Sequence, residues 1–345
     1  MKKLINNPVL LLLAIIFPIS FIASSYYRAL FVFVNLLNKN AIYYLFSFLA
    51  FIFFLVKYVF FGVLEFAHLG ILSSILLTTS IQKNKIIISK NQSIIFTVVI
   101  LFICFINLTP YINIDPNYLG LAIYIVSLSL FLNDYNKSSI LLMILGLFTY
   151  SRLFILIFIL VLIIRFFKIA KTINKPFLIT FLGYAVYFFI TAYILYNILN
   201  GAMPDYEYLQ GFDRSKRLID TSNWIRFSAN FRMFSDINLS KFFLGFDGES
   251  IFFIEFSEKN IYPHNLFLSL LYNVGIVWAI IYQINLIKVT KRNFELFCVI
   301  LAYQIILGFG SFYIYLLPFL QILINNYEKK DITYRRIRIL RKSSI

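Results

Sequence analysis

Two arginines and a histidine stand out in the polar stretch 222–265 of an otherwise apolar chain. They are Arg226, Arg232 and His264, and the chain holds only two histidines. An imidazole exchanges protons near neutral pH, and a guanidinium stays charged and matches phosphate oxygens. The combination predicts proton transfer beside a bound anion. The alternatives are a helix cap or an interfacial residue for His264, and lipid-headgroup contacts for the arginines.

A third arginine, Arg152, follows Ser151 within the mostly apolar run 138–167. A single helix of that length would overshoot a hydrocarbon layer of about 30 Å. We therefore expect two short helices with Ser151 and Arg152 at the turn between them. An ionisable group at that depth is a candidate anion site. The alternative is an arginine whose charged head extends from a helix end into water.

Glu65 and His68 form a second pair of ionisable residues, three positions apart near the start of an apolar run. Lys57 precedes them in the neighbouring run. We favour a buried ion pair that joins helices, and a role in binding the acceptor is the alternative.

The elements that must position these residues are membrane helices. The 345 residues are 61% hydrophobic and only 13% charged. Continuous apolar runs of about 17–25 residues recur, which predicts helical spans rather than a barrel. We predict an all-α polytopic membrane protein with about twelve transmembrane helices. The predicted spans are about 8–24, 27–38, 41–62, 64–81, 93–109, 118–132, two within 138–167, 177–197, 265–287, 294–309 and 311–327.

The charge distribution predicts the orientation. The net charge is +16, and most Lys and Arg fall in the N-terminus, the tail and alternate loops. The positive-inside rule therefore predicts that both termini lie in the cytoplasm. We expect a multi-pass protein of the inner (plasma) membrane. The same rule accounts for the basic charge, so we expect no nucleic acid as a partner. About nine spans lie in 1–197, a large extracytoplasmic loop is 198–263, about three spans lie in 264–327, and 328–345 is a basic cytoplasmic tail.

Within the loop, Trp224, Phe227, Phe231 and Phe234 recur at helical spacing and predict an amphipathic helix in the outer interface. The sequence contains no Walker A, HExxH, CxxC or GxSxG pattern. We therefore expect no cofactor and no metal ion. An enzyme of this kind would act on a lipid-borne substrate at the outer face.

Three segments resemble one known family. They are TYSR at 149–152, LGFDG at 244–248, and YPHNLFLSLLYNVGIVWAIIY at 262–282. Over about residues 145–290 the chain resembles the O-antigen polymerase (Wzy) and O-antigen ligase superfamily. It departs from that pattern in the loop, where GFDG stands in place of the usual G-x-G.

The resemblance implies a GT-C-like glycosyltransferase architecture and a substrate, an oligosaccharide repeat unit on undecaprenyl diphosphate. Arg152 and Arg226 would bind the diphosphate, and His264 would act as a base on the acceptor hydroxyl or orient the diphosphate. Arg217 is an alternative to Arg226. Further candidates for substrate binding are Arg232, Asn265, Glu65 and His68. A chain-length regulator and a flippase would be partners.

Three functions remain open on the sequence. The first is a polymerase that transfers the growing O-antigen or capsular glycan onto another lipid-linked unit. The second is a ligase that transfers glycan to a lipid A core or another surface acceptor. The third is a flippase or transporter of the same lipid-linked glycan, which would place charges deep within the spans and use paired broken helices.

Overall fold

A computed structural model describes the following parts of the chain: 41–62, 74–75, 78–79, 82, 116–149, 151–167, 173–199, 229–230, 233–234, 236–246, 252–254, 259–261, 265–306, 316–317 and 320–325. Its helices are α1 (Ala41–Phe61), α2 (Pro116–Leu132), α3 (Asn136–Gly146), α4 (Arg152–Phe166), α5 (Pro176–Leu199), α6 (Leu239–Leu244), α7 (Leu266–Thr290) and α8 (Phe294–Ile306). The strands are β1 (Phe252–Ile254) and β2 (Lys259–Ile261), which pair antiparallel within the polar loop.

The predicted division of 138–167 into two helices is confirmed. α3 continues into one 3-10 turn, Leu147–Thr149, and α4 begins at Arg152. The chain separates here because Ser151 is extended and its hydroxyl accepts a hydrogen bond from the amide of Phe154. This N-cap satisfies an amide that has no partner within the helix.

Helices α1, α2, α5 and α8 coincide with the predicted runs 41–62, 118–132, 177–197 and 294–309. The predicted spans 8–24, 27–38 and 93–109 lie outside the described residues. The spans 64–81 and 311–327 are described only in part, at the helical positions 74–75, 78–79, 316–317 and 320–325.

Two described helices are long and apolar enough to cross a membrane, judged by length and composition. One is the Pro176–Tyr193 part of α5, of which only 17% is buried, and the other is α7, of which 61% is buried. Helices α2, α3, α4 and α8 are shorter than the roughly 20 residues that a span needs. Twelve spans and a GT-C-like architecture therefore remain predictions.

Helix α2 forms the centre of the described bundle. Every residue from Leu119 to Leu130 is buried, which explains why its sequence has no polar face. Its neighbours α3 and α4 pack against it, and apolar residues of α7 and α8 complete the same core. The wide apolar faces of α1 and α5 stay exposed.

A buried charge cluster joins four helices at one end of this bundle. Arg165 in the last turn of α4 forms a two-pronged ion pair with Glu295 in the first turn of α8, with N···O distances of 2.9 and 2.8 Å. Arg165 also donates to the hydroxyl of Ser139 on α3 at 2.8 Å, and the hydroxyl of Tyr124 on α2 donates to Glu295 at 3.4 Å. Since this ion pair sits at the end of α4 and the start of α8, these helices run antiparallel.

The Arg165 guanidinium also lies 4.3 Å from the centroid of the Phe131 ring. The side chains of the pair are only 10% and 6% exposed. A buried pair of this kind is costly to break on one side, because the remaining charge loses its partner.

We expect Glu295→Gln to lower the free energy of unfolding by about 3 kcal/mol, since it leaves Arg165 buried without its counterion. The double variant Arg165→Met with Glu295→Met should lose less, because no charge remains buried. Thermal unfolding of the detergent-purified protein measures both. Asp134→Asn, at an exposed acid, is the control and should change stability by less than about 0.5 kcal/mol. If the double variant is less stable to heat than Glu295→Gln, this account is wrong.

Candidate functional site

Ser151 holds the start of α4 against the start of α2. Its hydroxyl donates to the Oδ1 of Asn117 at 2.8 Å and accepts from the amide of Phe154 at 3.1 Å. Ser151 is only 4% exposed, so both functions of the hydroxyl are satisfied within the protein. Ser151 is therefore a positional residue, and it fixes where the next residue stands.

That next residue, Arg152, is exposed at the first position of α4. A helix N-terminus already carries a partial positive charge, so a guanidinium there is unfavourable without an anion nearby. The two together concentrate positive potential at the end of α4 where Ser151 and Asn117 meet. The role of Arg152 as an anion site stays a prediction.

Asn265, a candidate for substrate binding, is engaged by the protein itself. Its Oδ1 caps α7 by accepting from the amides of Phe267 and Leu268 at 3.0 and 3.3 Å. Its Nδ2 donates to the carbonyl of Ile305 in the last turn of α8 at 2.9 Å. Asn265 is fully buried. These contacts give it a structural role, and they offer no support for substrate binding.

The other candidates lie outside the described residues: His264, Arg226, Arg217, Arg232, Glu65 and His68. His264 nevertheless directly precedes the buried Asn265. Arg226 and Arg232 flank the helical residues Ala229 and Asn230, which are buried.

Two tyrosines on α5, Tyr184 and Tyr187, contact the chain near these candidates. Asn230 donates to the hydroxyl of Tyr187 at 2.9 Å, and the ring of Tyr184 lies 6.1 Å from that of Phe267. The tyrosines are one helical turn apart, about halfway along α5. Asn230, two residues before Arg232, and Phe267, three residues after His264, therefore contact one short stretch of α5.

Two residues of the predicted amphipathic helix, Met233 and Phe234, contact the helical bundle. Met233 is buried in an apolar cluster with Phe246, Leu268, Leu271 and Tyr272. Phe234 makes an edge contact with Phe188 on α5 at 5.9 Å. The predicted amphipathic helix is thus helical at its described positions, of which Ala229, Asn230 and Met233 are buried and Phe234 is half exposed.

Helix α7 is broken at Gly275, whose backbone is left-handed with φ of 74°. The break releases carbonyls that an intact helix would pair with amides four residues later. The carbonyl of Tyr272 accepts instead from the amide of Phe246 at 2.6 Å. Phe246 also stacks on the Tyr272 ring with centroids 5.1 Å apart. Gly245 and Phe246 of the LGFDG segment therefore pack directly at the break.

Only glycine fits on either side of this contact. A Cβ at Gly275 would collide with the carbonyl of Phe243, and a Cβ at Gly245 would lie 2.6 Å from the carbonyl of Tyr272. Both glycines also have positive φ, which L side chains rarely adopt. Gly245 and Gly275 of the resembling segments are thus one packing contact between α6 and α7.

Lys57 is the residue that the sequence reasoning undervalued. It is 1% exposed about one turn before the end of the apolar helix α1, and its ammonium donates to the carbonyl of Asn273 at 2.9 Å. The signal was visible as the lone charge in the apolar run 41–62. The predicted pairing with Glu65 and His68 stays a prediction, because those residues are not described.

Tyr184 contacts both halves of the broken helix. Besides Phe267, it accepts a hydrogen bond of 2.5 Å from the Nε2 of Gln283. An unbroken helix would separate Phe267 and Gln283 by about 24 Å along its axis. Because one tyrosine contacts both residues, the halves of α7 bend towards α5. Within the described chain, no group of three or more His, Cys, Asp or Glu residues could hold a metal ion.

No family model, no curated protein and no solved structure matches the chain.

We expect Asn265→Ala to destabilise the protein by about 1–2 kcal/mol, since it removes an N-cap and leaves the buried carbonyl of Ile305 without its donor. Asn265→Asp should retain the cap but lose the donation to Ile305. Thermal unfolding of both variants in detergent measures the difference. If Asn265→Ala unfolds like the wild type, the structural role assigned to Asn265 is wrong.

Proposed function

We propose that the protein is a polymerase of lipid-linked oligosaccharide repeat units, as the resemblance in 145–290 implies. It would transfer a growing glycan from undecaprenyl diphosphate to a sugar hydroxyl of another lipid-linked unit. The bond between the anomeric carbon and the diphosphate oxygen breaks, and a glycosidic bond to the acceptor oxygen forms. The acceptor proton goes to a base, and the diphosphate carrier leaves.

The observation that carries the proposal is the pair of tyrosines on α5. Tyr184 and Tyr187 contact Phe267 and Asn230, one turn apart. His264 lies three residues before Phe267, and Arg232 two residues after Asn230. This contact supports a shared site for a base and cations, which transfer from a lipid diphosphate requires.

The exposed face of α5 supports a substrate that stays in the lipid. Phe181, Phe189 and Tyr193 are each more than 60% exposed on this long apolar helix. Such a face is stable beside lipid tails and would be unfavourable in water. A lipid-linked substrate could lie along this face of α5 without leaving the membrane.

The roles follow from the chemistry of each group. Arg152 and Arg226 would neutralise the departing diphosphate through guanidinium–phosphate hydrogen bonds. His264 would take the proton of the acceptor hydroxyl or orient the diphosphate. The inner membrane and the cytoplasmic position of both termini belong to the same proposal.

One observation favours a second candidate, a transporter of the same glycan. α7 is broken and Lys57 is buried within the bundle, and transporters use broken helices with deep charges. Such proteins leave the released carbonyls open to a cavity, and they use two broken helices. Here the carbonyls of Tyr272 and Asn273 are occupied by protein donors, which favours the enzyme.

The variants His264→Ala, Arg152→Gln and Arg226→Gln are each expressed in a strain that lacks the gene. We expect each of them to give surface glycan of single repeat units. Loss of one charge-stabilising donor lowers the transfer rate by about a hundredfold. Glycan length on a gel, at matched expression, is the measurement. Lys137→Gln, at an exposed base on α3, is the control and should leave long glycans.

Full-length glycan from all three variants would contradict the site. Lipid-linked units that stay on the cytoplasmic side would favour the transporter. Long glycan that remains on its lipid carrier would favour a ligase.

A further inference from the structure

We propose that Lys57 is a positioning residue that fixes the polar segment 236–246 by completing the break in α7. The proposal concerns how the chain around the site is held, and it stands independently of the reaction. It rests on the juxtaposition of a buried ammonium, a broken helix and a docked segment.

The first part of the argument is the location of the charge. Asn273 lies in the last turn of the half of α7 that ends at the break. The C-terminal end of a helix carries a partial negative charge, so an ammonium is favourable there. Lys57 thus acts as a cationic C-cap, contributed by α1 to the carbonyl of Asn273 at 2.9 Å.

The second part of the argument is that each carbonyl released at the break has a donor. Within an apolar bundle, a released carbonyl needs a donor from elsewhere in the protein. The carbonyl of Tyr272 receives the amide of Phe246, and the adjacent carbonyl of Asn273 receives Lys57. The amide and the ammonium therefore occupy consecutive peptide groups of the same break.

The third part is that the segment contacts α7 closely at this break. Leu239 and Phe243 of α6 are exposed, and no residue of α6 is buried. The close contact instead involves Gly245 and Phe246 with α7. Phe53 adds a second contact between α1 and α7, an edge-on approach of 6.1 Å to Trp278. Loss of the ammonium should release the segment and leave α1 packed.

We expect the positive charge of Lys57, and not only its hydrogen bond, to stabilise the segment 236–246. Arginine at position 57 keeps a cation at the helix end, glutamine keeps a donor without charge, and methionine keeps the shape alone. The expected order of segment stability is Lys57 and Lys57→Arg, then Lys57→Gln, then Lys57→Met.

Hydrogen–deuterium exchange of the full-length protein in detergent tests this proposal. In Lys57→Met, amides of 238–246 should exchange about tenfold faster or more, the factor typical of losing a hydrogen bond to a charged group. Amides of 116–166 should exchange as in the wild type. Lys57→Arg should restore slow exchange in 238–246.

Two results would overturn the proposal: unchanged exchange of 238–246 in Lys57→Met, or equal acceleration throughout the protein. Gly245→Ala provides a second variant should Lys57→Met fail to fold. Its Cβ would displace the segment from Tyr272 with Lys57 still present, so 238–246 should again exchange faster. If Gly245→Ala leaves that exchange slow, the segment is not held at the break. Because no readout depends on glycan transfer, failure here is distinct from failure of the proposed function.

Discussion

Backbone carbonyls without amide partners are the constraint on which the described structure depends. In an apolar bundle each of them must find a donor within the protein. At Gly275 the helix gives up its own pairing, and donors arrive from two distant parts of the chain, Phe246 and Lys57. A single left-handed residue thereby joins α1, α7 and the polar segment. The break in α7 is therefore the point at which these three parts of the chain are connected.

The same rule governs the two ends of the bundle. Ser151 and Asn265 each supply oxygen to the first amides of a helix, and each also reaches a neighbouring helix. At the opposite end, Arg165 and Glu295 satisfy each other and the hydroxyls around them. Polar side chains in this bundle therefore fix helix ends relative to one another. The apolar residues, which pack without directional bonds, fill the space that these contacts define.

This arrangement bears on the proposed chemistry. A site for transfer from a lipid diphosphate needs cations and a base held at fixed separation while a large substrate binds. The chain around Asn230 and Phe267 is held by two tyrosines of α5, and the break at Gly275 anchors the segment between them. Rigid support near the reacting groups and an exposed apolar face on α5 together suit a substrate delivered from the lipid.

The sequence by itself determined the helical class, most boundaries of the described helices, and the division of 138–167 at Ser151. Local signals suffice for these, because apolar run length and a serine cap act within one turn of chain. The family resemblance also included the LGFDG segment and the segment 262–282, which contains Gly275, but not their contact. Only the tertiary structure decided that Gly245 packs on α7, that Asn265 is a helix cap, and that Lys57 completes a break 216 residues away. Those contacts join residues far apart in sequence, and no local pattern specifies which released carbonyl a distant donor will reach.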